Sequence, residues 1–278
     1  MADQDRELQN SWPMRIVRAG DRRSLSRSAT RALDVLEYFG QMRRPLRAIE
    51  IARRLDLHPS TVNQLLKTMV ESAHLAFDAT TKSYLPSPRL TRFSRWMIDT
   101  YGVDELRHLI ADVQSASGEM VTLTTPNDLF MQVIDYAGVD YGDEGLDGAE
   151  RGLRVSLFGS ALGAAYLSTL RRPELRRLAE RARIPEAEHD ALLEWVARIR
   201  REGFADGPSA EGTIWSLAVP LPTECFSVPL VLGLAGPTER VRANLPQLGQ
   251  LLQAAVKNLA TNRKTEPGDT APPGADER

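Results

Sequence analysis

Ala48-Ile49-Glu50-Ile51-Ala52-Arg53-Arg54-Leu55-Asp56-Leu57-His58-Pro59-Ser60-Thr61-Val62-Asn63-Gln64-Leu65-Leu66-Lys67-Thr68-Met69 holds two apolar stripes parted by a very short polar turn. Ala48, Ile51, Ala52 and Leu55 recur at the helical period, and so do Val62, Leu65, Leu66 and Met69. Pro59 stands where a first helical residue belongs, because its fixed φ suits that position and its missing N–H has no helical partner there. Two short helices joined by Asp56-Leu57-His58 are the centre of a helix-turn-helix.

Working outward, Ser28 is expected to cap an earlier helix with Ala29, Ala32, Leu33 and Leu36 on its apolar face, stopped by Gly40. Downstream, Leu75-Ala76-Phe77-Asp78 and Lys82-Ser83-Tyr84-Leu85 flank Ala79-Thr80-Thr81 and read as a hairpin. Three helices and a hairpin in that order give a winged helix-turn-helix over residues 25–88. It follows a lead over 1–24 that lacks any sustained period and is expected to be flexible.

The apolar stripe of the third helix turns Ser60, Thr61, Asn63, Gln64 and Lys67 outward near its N-terminal half, the part that enters a major groove in this motif. Asn and Gln can make paired hydrogen bonds to adenine, Ser and Thr can bond bases or phosphates, and Lys67 can hold a phosphate. Arg27, Ser28, Arg31 and Arg47, near the starts of the first two helices, are placed to clamp flanking backbone. Lys82 and Tyr84 put a cation and a hydroxyl on the wing. A merely solvated polar face explains many such patterns. Here charge agrees with the motif: residues 1–95 carry seventeen Lys and Arg against ten Asp and Glu, while the remainder carries eighteen against twenty-seven. The net charge of -2 conceals a basic segment suited to a polyanion on an otherwise acidic chain.

The chain of 278 residues, 42% hydrophobic, is long enough for two domains. Its one cysteine, Cys225, excludes a disulfide framework and a Cys-rich zinc site, and suits a reducing cytosol. No signal peptide and no long apolar span is apparent, so a cytoplasmic protein with no membrane partner is expected. After Pro86 and Pro88 a connecting helix is expected within 89–118, where Leu106, Leu109, Ile110 and Val113 keep the helical period. From Met120 the pattern becomes β-rich, with Met120–Thr125 and Leu129–Tyr136 as a hairpin around Pro126-Asn127-Asp128 and an acidic, glycine-rich loop after Gly138. Helices from about Ser160, Pro173 and Pro185, buried strands at Ile214–Val219 and Val228–Leu234, and a closing helix at Gln247–Leu259 complete a domain over 119–262. Its mixed order predicts an α+β fold, and residues 263–278 read as a disordered tail.

Ser28-Ala29-Thr30-Arg31-Ala32-Leu33 and Ser60-Thr61-Val62-Asn63-Gln64-Leu65-Leu66 resemble the first and recognition helices of the isocitrate lyase regulator (IclR) family. Gly152-Leu153-Arg154, Ser160-Ala161-Leu162-Gly163, Ile199-Arg200-Arg201-Glu202-Gly203-Phe204-Ala205, Ser216-Leu217-Ala218-Val219-Pro220 and Gly236-Pro237-Thr238 resemble successive landmarks of its effector domain. The resemblance runs in order from residue 25 to about 262. It implies a GAF-like effector domain and a homodimer, or a tetramer built as a dimer of dimers, on double-stranded DNA at a pseudo-palindromic operator. It implies a ligand-responsive transcriptional regulator, expected to repress rather than activate a catabolic operon, with no cofactor.

The resemblance also places a small-molecule effector between the helix starting at Ser160 and the strand holding Ser216. Free N–H groups at Ser160, Ala161 and Leu162 suit an acid oxygen. Met120, Met131, Leu157, Phe158 and Trp215 are candidate apolar walls, with ordinary core packing the competing reading for each. Phe158 stands where His is common in the family, Ala164 where Lys is, and Ser216 where Cys is. These exchanges remove partners for a small oxygen-rich anion and favour a partly apolar, aromatic acid; a short polar oxo-acid is the alternative. A hydrolase using Ser160 is the remote alternative. Gly159-Ser160-Ala161-Leu162-Gly163 lacks the Gly-x-Ser-x-Gly spacing, and His58, His74, His108 and His189 form no pair with metal-ligand spacing, so neither a catalytic nor a metal site is expected.

Overall fold

The computed structural model describes residues 26–93, 103–138, 154–209, 212–226 and 228–265. The chain divides into a smaller unit within 20–99 and a larger one drawn mainly from 100–278. The expected lead over 1–24, the acidic loop and the tail beyond 265 lie outside the described residues.

In the smaller unit α1 (Arg27–Met42), α2 (Ala48–Arg54) and α3 (Pro59–Glu71) precede β1 (Leu75–Asp78) and β2 (Ser83–Pro86), which pair antiparallel. The helices meet over Val35, Phe39, Leu46, Ile51, Val62, Leu66 and Met69, closed by Leu75 at the foot of the wing. Leu46 exchanges both backbone hydrogen bonds with Tyr84, at 3.1 and 2.8 Å, tying the α1–α2 connection to the wing.

The first helix departs from expectation. Leu33 is 61% exposed and Ala29 is exposed, while Val35 and Phe39 fill the core. Ser28 lies inside the helix, Ser26 holds the N-cap position, and the helix runs past Gly40 to Arg43, which takes the left-handed conformation at φ 49°. Ala32 and Leu36 of the expected stripe do pack against the core, while tertiary contact with α2 and α3 turns Val35 and Phe39 inward in place of Ala29 and Leu33.

The larger unit is built on a six-stranded antiparallel sheet of order β5-β4-β3-β8-β7-β6. Its strands are β3 (Met120–Asn127), β4 (Phe130–Ala137), β5 (Arg154–Ser156), β6 (Ala205–Pro208), β7 (Ile214–Pro220) and β8 (Val231–Pro237). On one face, α4 (Val103–Ser117), α8 (Thr238–Ala243) and α9 (Leu245–Thr265) pack over Val121, Leu123, Leu217, Val219, Leu232 and Leu234. On the other, α5 (Ala161–Leu167), α6 (Arg172–Arg181) and α7 (His189–Glu202) enclose Met131, Leu157, Ala218 and Val231. Residues alternate between the two because strand side chains point to opposite faces with period two. This is the α+β, GAF-like arrangement expected.

Several boundaries moved. Pro126 and Asn127 stay in the β3–β4 ladder, and the turn is made at Asp128, whose φ is 59°. The segment expected as a connector, 89–118, begins with a 3₁₀ turn at Pro88–Leu90, and its later part is α4, whose Leu106, Leu109, Ile110 and Val113 are core of the larger unit. Residues 94–102 between them lie outside the described residues. Short β5 and β6 were not expected, and α9 continues to Thr265, three residues beyond the expected domain end at 262. Among the described residues no helix is long and apolar enough to cross a membrane.

Two close contacts position the candidate site. Buried Glu119 binds Arg240 through both carboxylate oxygens, one contact at 2.7 Å, joining the start of β3 to α8. Gly163 sits directly on the backbone of Leu157, where an added Cβ would stand 1.9 Å from the carbonyl oxygen. No side chain can move to relieve that overlap, so Gly163→Ala is expected to destabilise the larger unit by ~3 kcal/mol. Its thermal transition should fall by roughly 5–10 °C; an unchanged transition in differential scanning calorimetry would mean that α5 is seated elsewhere.

Candidate DNA-binding face and effector site

The recognition helix begins with an uncommon cap. The His58 ring accepts a weak hydrogen bond from the Ser60 N–H at 3.4 Å through Nδ1, which also lies 2.8 Å from the Ser60 hydroxyl. Pro59 at the first helical position leaves no N–H to satisfy there. Val62, Leu66 and Met69 are buried, so the opposite face with Ser60, Asn63, Gln64 and Lys67 is exposed; Thr61 is half-buried. Lys67 lies 3.8 Å from Glu71, an exposed pairing worth little that leaves the ammonium available.

Ser28 and Arg31 of α1 and Thr61 and Gln64 of α3 line a single groove of about 790 Å³ floored by Ala32, Leu36, Leu65 and Met69. Arg27 is exposed at the start of α1. Arg47 is exposed at the start of α2, where its N–H donates to Glu50 at 2.8 Å. Glu50 also pairs with Arg44 at 2.6 Å, and that hydrogen bond, with the one from the Arg47 backbone, holds its carboxyl below the usual range.

The wing tip is organised by Asp78, which sequence reasoning did not single out. Its carboxylate accepts from the Thr81 hydroxyl at 2.7 Å and from the Thr80 N–H at 2.8 Å, which lowers its pKa. Lys82 follows at φ 52°, exposed at the tip. Tyr84 is half-buried, with its ring 4.8 Å from Phe77 and packed on the small core. Its ring thus has a packing role beside the wing hydroxyl expected of it.

In the larger unit the start of α5 is closed by its own side chain. The Ser160 hydroxyl donates to Ser156 O at 2.6 Å and accepts from the Gly163 N–H at 3.0 Å, and Ser160 is 4% exposed. This is a helix N-cap. The cap occupies the Gly163 N–H, whereas the donors expected for an acid oxygen are the N–H groups of Ser160, Ala161 and Leu162. Ala161 is buried and Leu162 half-buried, with Leu162 resting on Gly233. Met131, Leu157 and Phe158 belong to the core beneath α5, and Met120 is also buried.

Trp215 falls on the opposite face of the sheet from Ser216, Ser160 and Phe158. Its indole N–H donates to Asp206 at 3.0 Å and the Arg242 guanidinium stacks 4.9 Å above its ring. Desolvation raises the Asp206 pKa against the lowering effects of Trp215, Arg198 and Arg242. The continuous apolar run Ile214–Val219 carries no alternation from which these faces can be read.

On the α5 side of the sheet, cross-strand register aligns Met120, Ala235, Ser216 and Gly207 in one row and Thr122, Gly233, Ala218 and Ala205 in the next. Ser216 and Ala235 are half-exposed neighbours on a floor made largely of small residues. The hydroxyls of Thr122 and Ser216 make no hydrogen bond with a described residue. Thr122 escaped sequence reasoning because a threonine in a β-rich run is ordinarily a strand former. Among the described residues no group of three or more His, Cys, Asp or Glu is placed to hold a metal ion.

The helix-turn-helix model of the IclR family matches residues 28–78, and the model for the C-terminal region of bacterial IclR transcriptional regulators matches residues 103–261. The chain is similar to the HTH-type transcriptional regulator BhcR of Paracoccus denitrificans, 25% identical over 243 residues, covering 84% of this chain and 86% of that protein. It is also similar to the HTH-type transcriptional regulator XynR of Escherichia coli, 23% identical over 250 residues, covering 85% and 96%. In fold it resembles the crystal structure of Thermotoga maritima IclR, with a TM-score of 0.56 at 16% identity over 85% of this chain and 98% of that one. The two family matches together span most of the sequence, and the chain belongs to the IclR family of DNA-binding transcriptional regulators, which are not enzymes.

Proposed function

We propose that this regulator binds a pseudo-palindromic operator as a dimer, with two dimers able to form a tetramer, and represses a catabolic operon until a small acid binds its larger unit. The observation that carries the DNA-reading part is the convergence of Ser28, Arg31, Thr61 and Gln64 on one groove beside the exposed Asn63 and Lys67. Gln64 and Asn63 are assigned to base edges, and Arg27, Arg31, Arg47, Ser60, Lys67 and Lys82 to phosphates. Twofold pairing is favoured because one short recognition helix reads too few base pairs for selectivity. Repression requires only that the bound protein occlude a promoter.

For the effector we assign the α5-side floor of Ser216, Ala235, Gly233 and Thr122, with Met120 and Leu162 as apolar wall. Ser160 supports this floor by fixing α5. Because the hydroxyls of Ser156 and Ser160 are engaged internally, the unsatisfied Ser216 and Thr122 are the polar contacts offered, and a partly apolar, aromatic acid is the preferred ligand. Those same two hydroxyls favour a short oxo-acid as the second reading.

Gln64→Ala is expected to weaken operator binding by about 1–3 kcal/mol, on the order of 10- to 100-fold, with little change on random DNA. Equal losses on both duplexes in a gel-shift titration would remove Gln64 from base reading. For the ligand, full-length protein is to be titrated calorimetrically with aromatic acids and with short oxo-acids. Aromatic acids should bind, and Ala235→Phe, which fills the floor, should abolish that binding while leaving DNA affinity within about two-fold. Preference for the short oxo-acids selects the second reading, and binding untouched by Ala235→Phe places the site elsewhere.

A further inference from the structure

Ser, Thr, Asp and Asn are the residues that cap helices best, yet α3 starts behind a histidine. As a cap His58 does little. Its Nδ1 accepts the Ser60 N–H at 3.4 Å, while the Thr61 and Val62 N–H groups bond to the His58 carbonyl at 3.0 and 3.2 Å. The ring is nevertheless fixed from two sides. Pro59 confines the backbone before it to extended conformations, and His58 stands at φ -62°, ψ 138°. On the other side, Nδ1 lies 2.8 Å from the Ser60 hydroxyl.

These contacts settle where the ring carries its proton. A backbone N–H can only donate, so Nδ1 is the acceptor for the Ser60 N–H and with it for the Ser60 hydroxyl. In a neutral imidazole the single N–H is then at Nε2. That group sits on the far edge of an exposed ring and makes no hydrogen bond with a described residue. Ser60 shares the exposed face of α3 with Asn63, Gln64 and Lys67, at spacings of three, four and seven residues, and the ring bound to its hydroxyl lies on that side.

We infer that His58, through its Nε2–H, is the donor that holds a DNA backbone phosphate at the start of α3, with Ser60 positioning the ring. This rests on the assignment of that face of α3 to DNA and alters the part given to Ser60, whose hydroxyl proton is spent on Nδ1. The occupant follows from the chemistry, since a lone exposed donor needs an acceptor and phosphate oxygens are the acceptors a duplex presents outside its grooves. An Asn at this position would cap α3 at least as well. What the histidine adds is a second nitrogen, held at a fixed angle before DNA arrives, so little freedom is lost on binding.

The test separates the two nitrogens in full-length protein at pH 8, where histidine is ordinarily neutral. Asn puts its acceptor oxygen where Nδ1 lies, and Gln puts its amide donor where Nε2 lies. His58→Asn should therefore leave the melting transition unchanged and weaken binding about tenfold on operator and random duplex alike, the cost of one hydrogen bond to a charged acceptor. The slope of log K against log salt should stay as in wild type, because a neutral donor displaces no counterion. His58→Gln should recover most of the lost affinity. Wild-type affinity in His58→Asn, or an equal loss in His58→Gln, would overturn the assignment. So would a slope reduced by ~0.9, the mark of a charged ring that cannot accept at Nδ1. Gln64→Ala, titrated alongside on the operator, separates the failures: a loss there with none in His58→Asn strikes out His58 alone, whereas no loss in either removes this face of α3 from DNA.

Discussion

The sheet of the larger unit is buried on both faces, and its two-residue period decides what can act together. Leu217, Val219, Leu232 and Leu234 spend their branched side chains against α4 and α9. The intervening positions, Ser216, Ala218, Gly233 and Ala235, remain small beneath α5. A one-residue slip of β7 would exchange these sets, setting leucines against Leu162 and exposing hydroxyls to the apolar helices. The hydrogen bond from Trp215 of β7 to Asp206 of β6 opposes such a slip, since a shifted β7 would leave the desolvated Asp206 carboxylate without its partner. The shape of the proposed effector floor therefore follows from register before it follows from any individual residue on it.

In the smaller unit the comparable constraint is the burial of Val62, Leu66 and Met69, which fixes the rotation of α3 about its own axis. Once those three are inside, Asn63, Gln64 and Lys67 have nowhere to be but outside. The Leu46–Tyr84 bridge ties the wing to the same small core, and Asp78 shapes the tip that carries Lys82. The exposure of the residues proposed to read DNA is thus a consequence of packing, since none of them is needed for the core.

The second and third helices were legible because each offers one apolar stripe and a clear start. The first was not, since Ala29 and Leu33 compete with Val35 and Phe39 for the inward face and only tertiary contact decides between them. β6, Ala-Asp-Gly-Pro, has no strand propensity and exists by pairing with β7. The placement of Trp215 opposite Ser216 was hidden by a continuous apolar run. Thr122 became visible as a candidate only when register set it beside Gly233. What escaped the sequence was in each case a relation between distant residues, such as Glu119 and Arg240, 121 positions apart.

The central claim is that this chain reads DNA sequence with twofold symmetry. Repeated selection of duplexes from a random pool by the full-length protein, followed by sequencing, measures this directly and requires no operator to be chosen beforehand. The account predicts enrichment of a motif with two inverted half-sites whose centres lie about one helical turn, or a multiple of it, apart. Duplexes retained without any enriched sequence, through salt-sensitive contact alone, would contradict it.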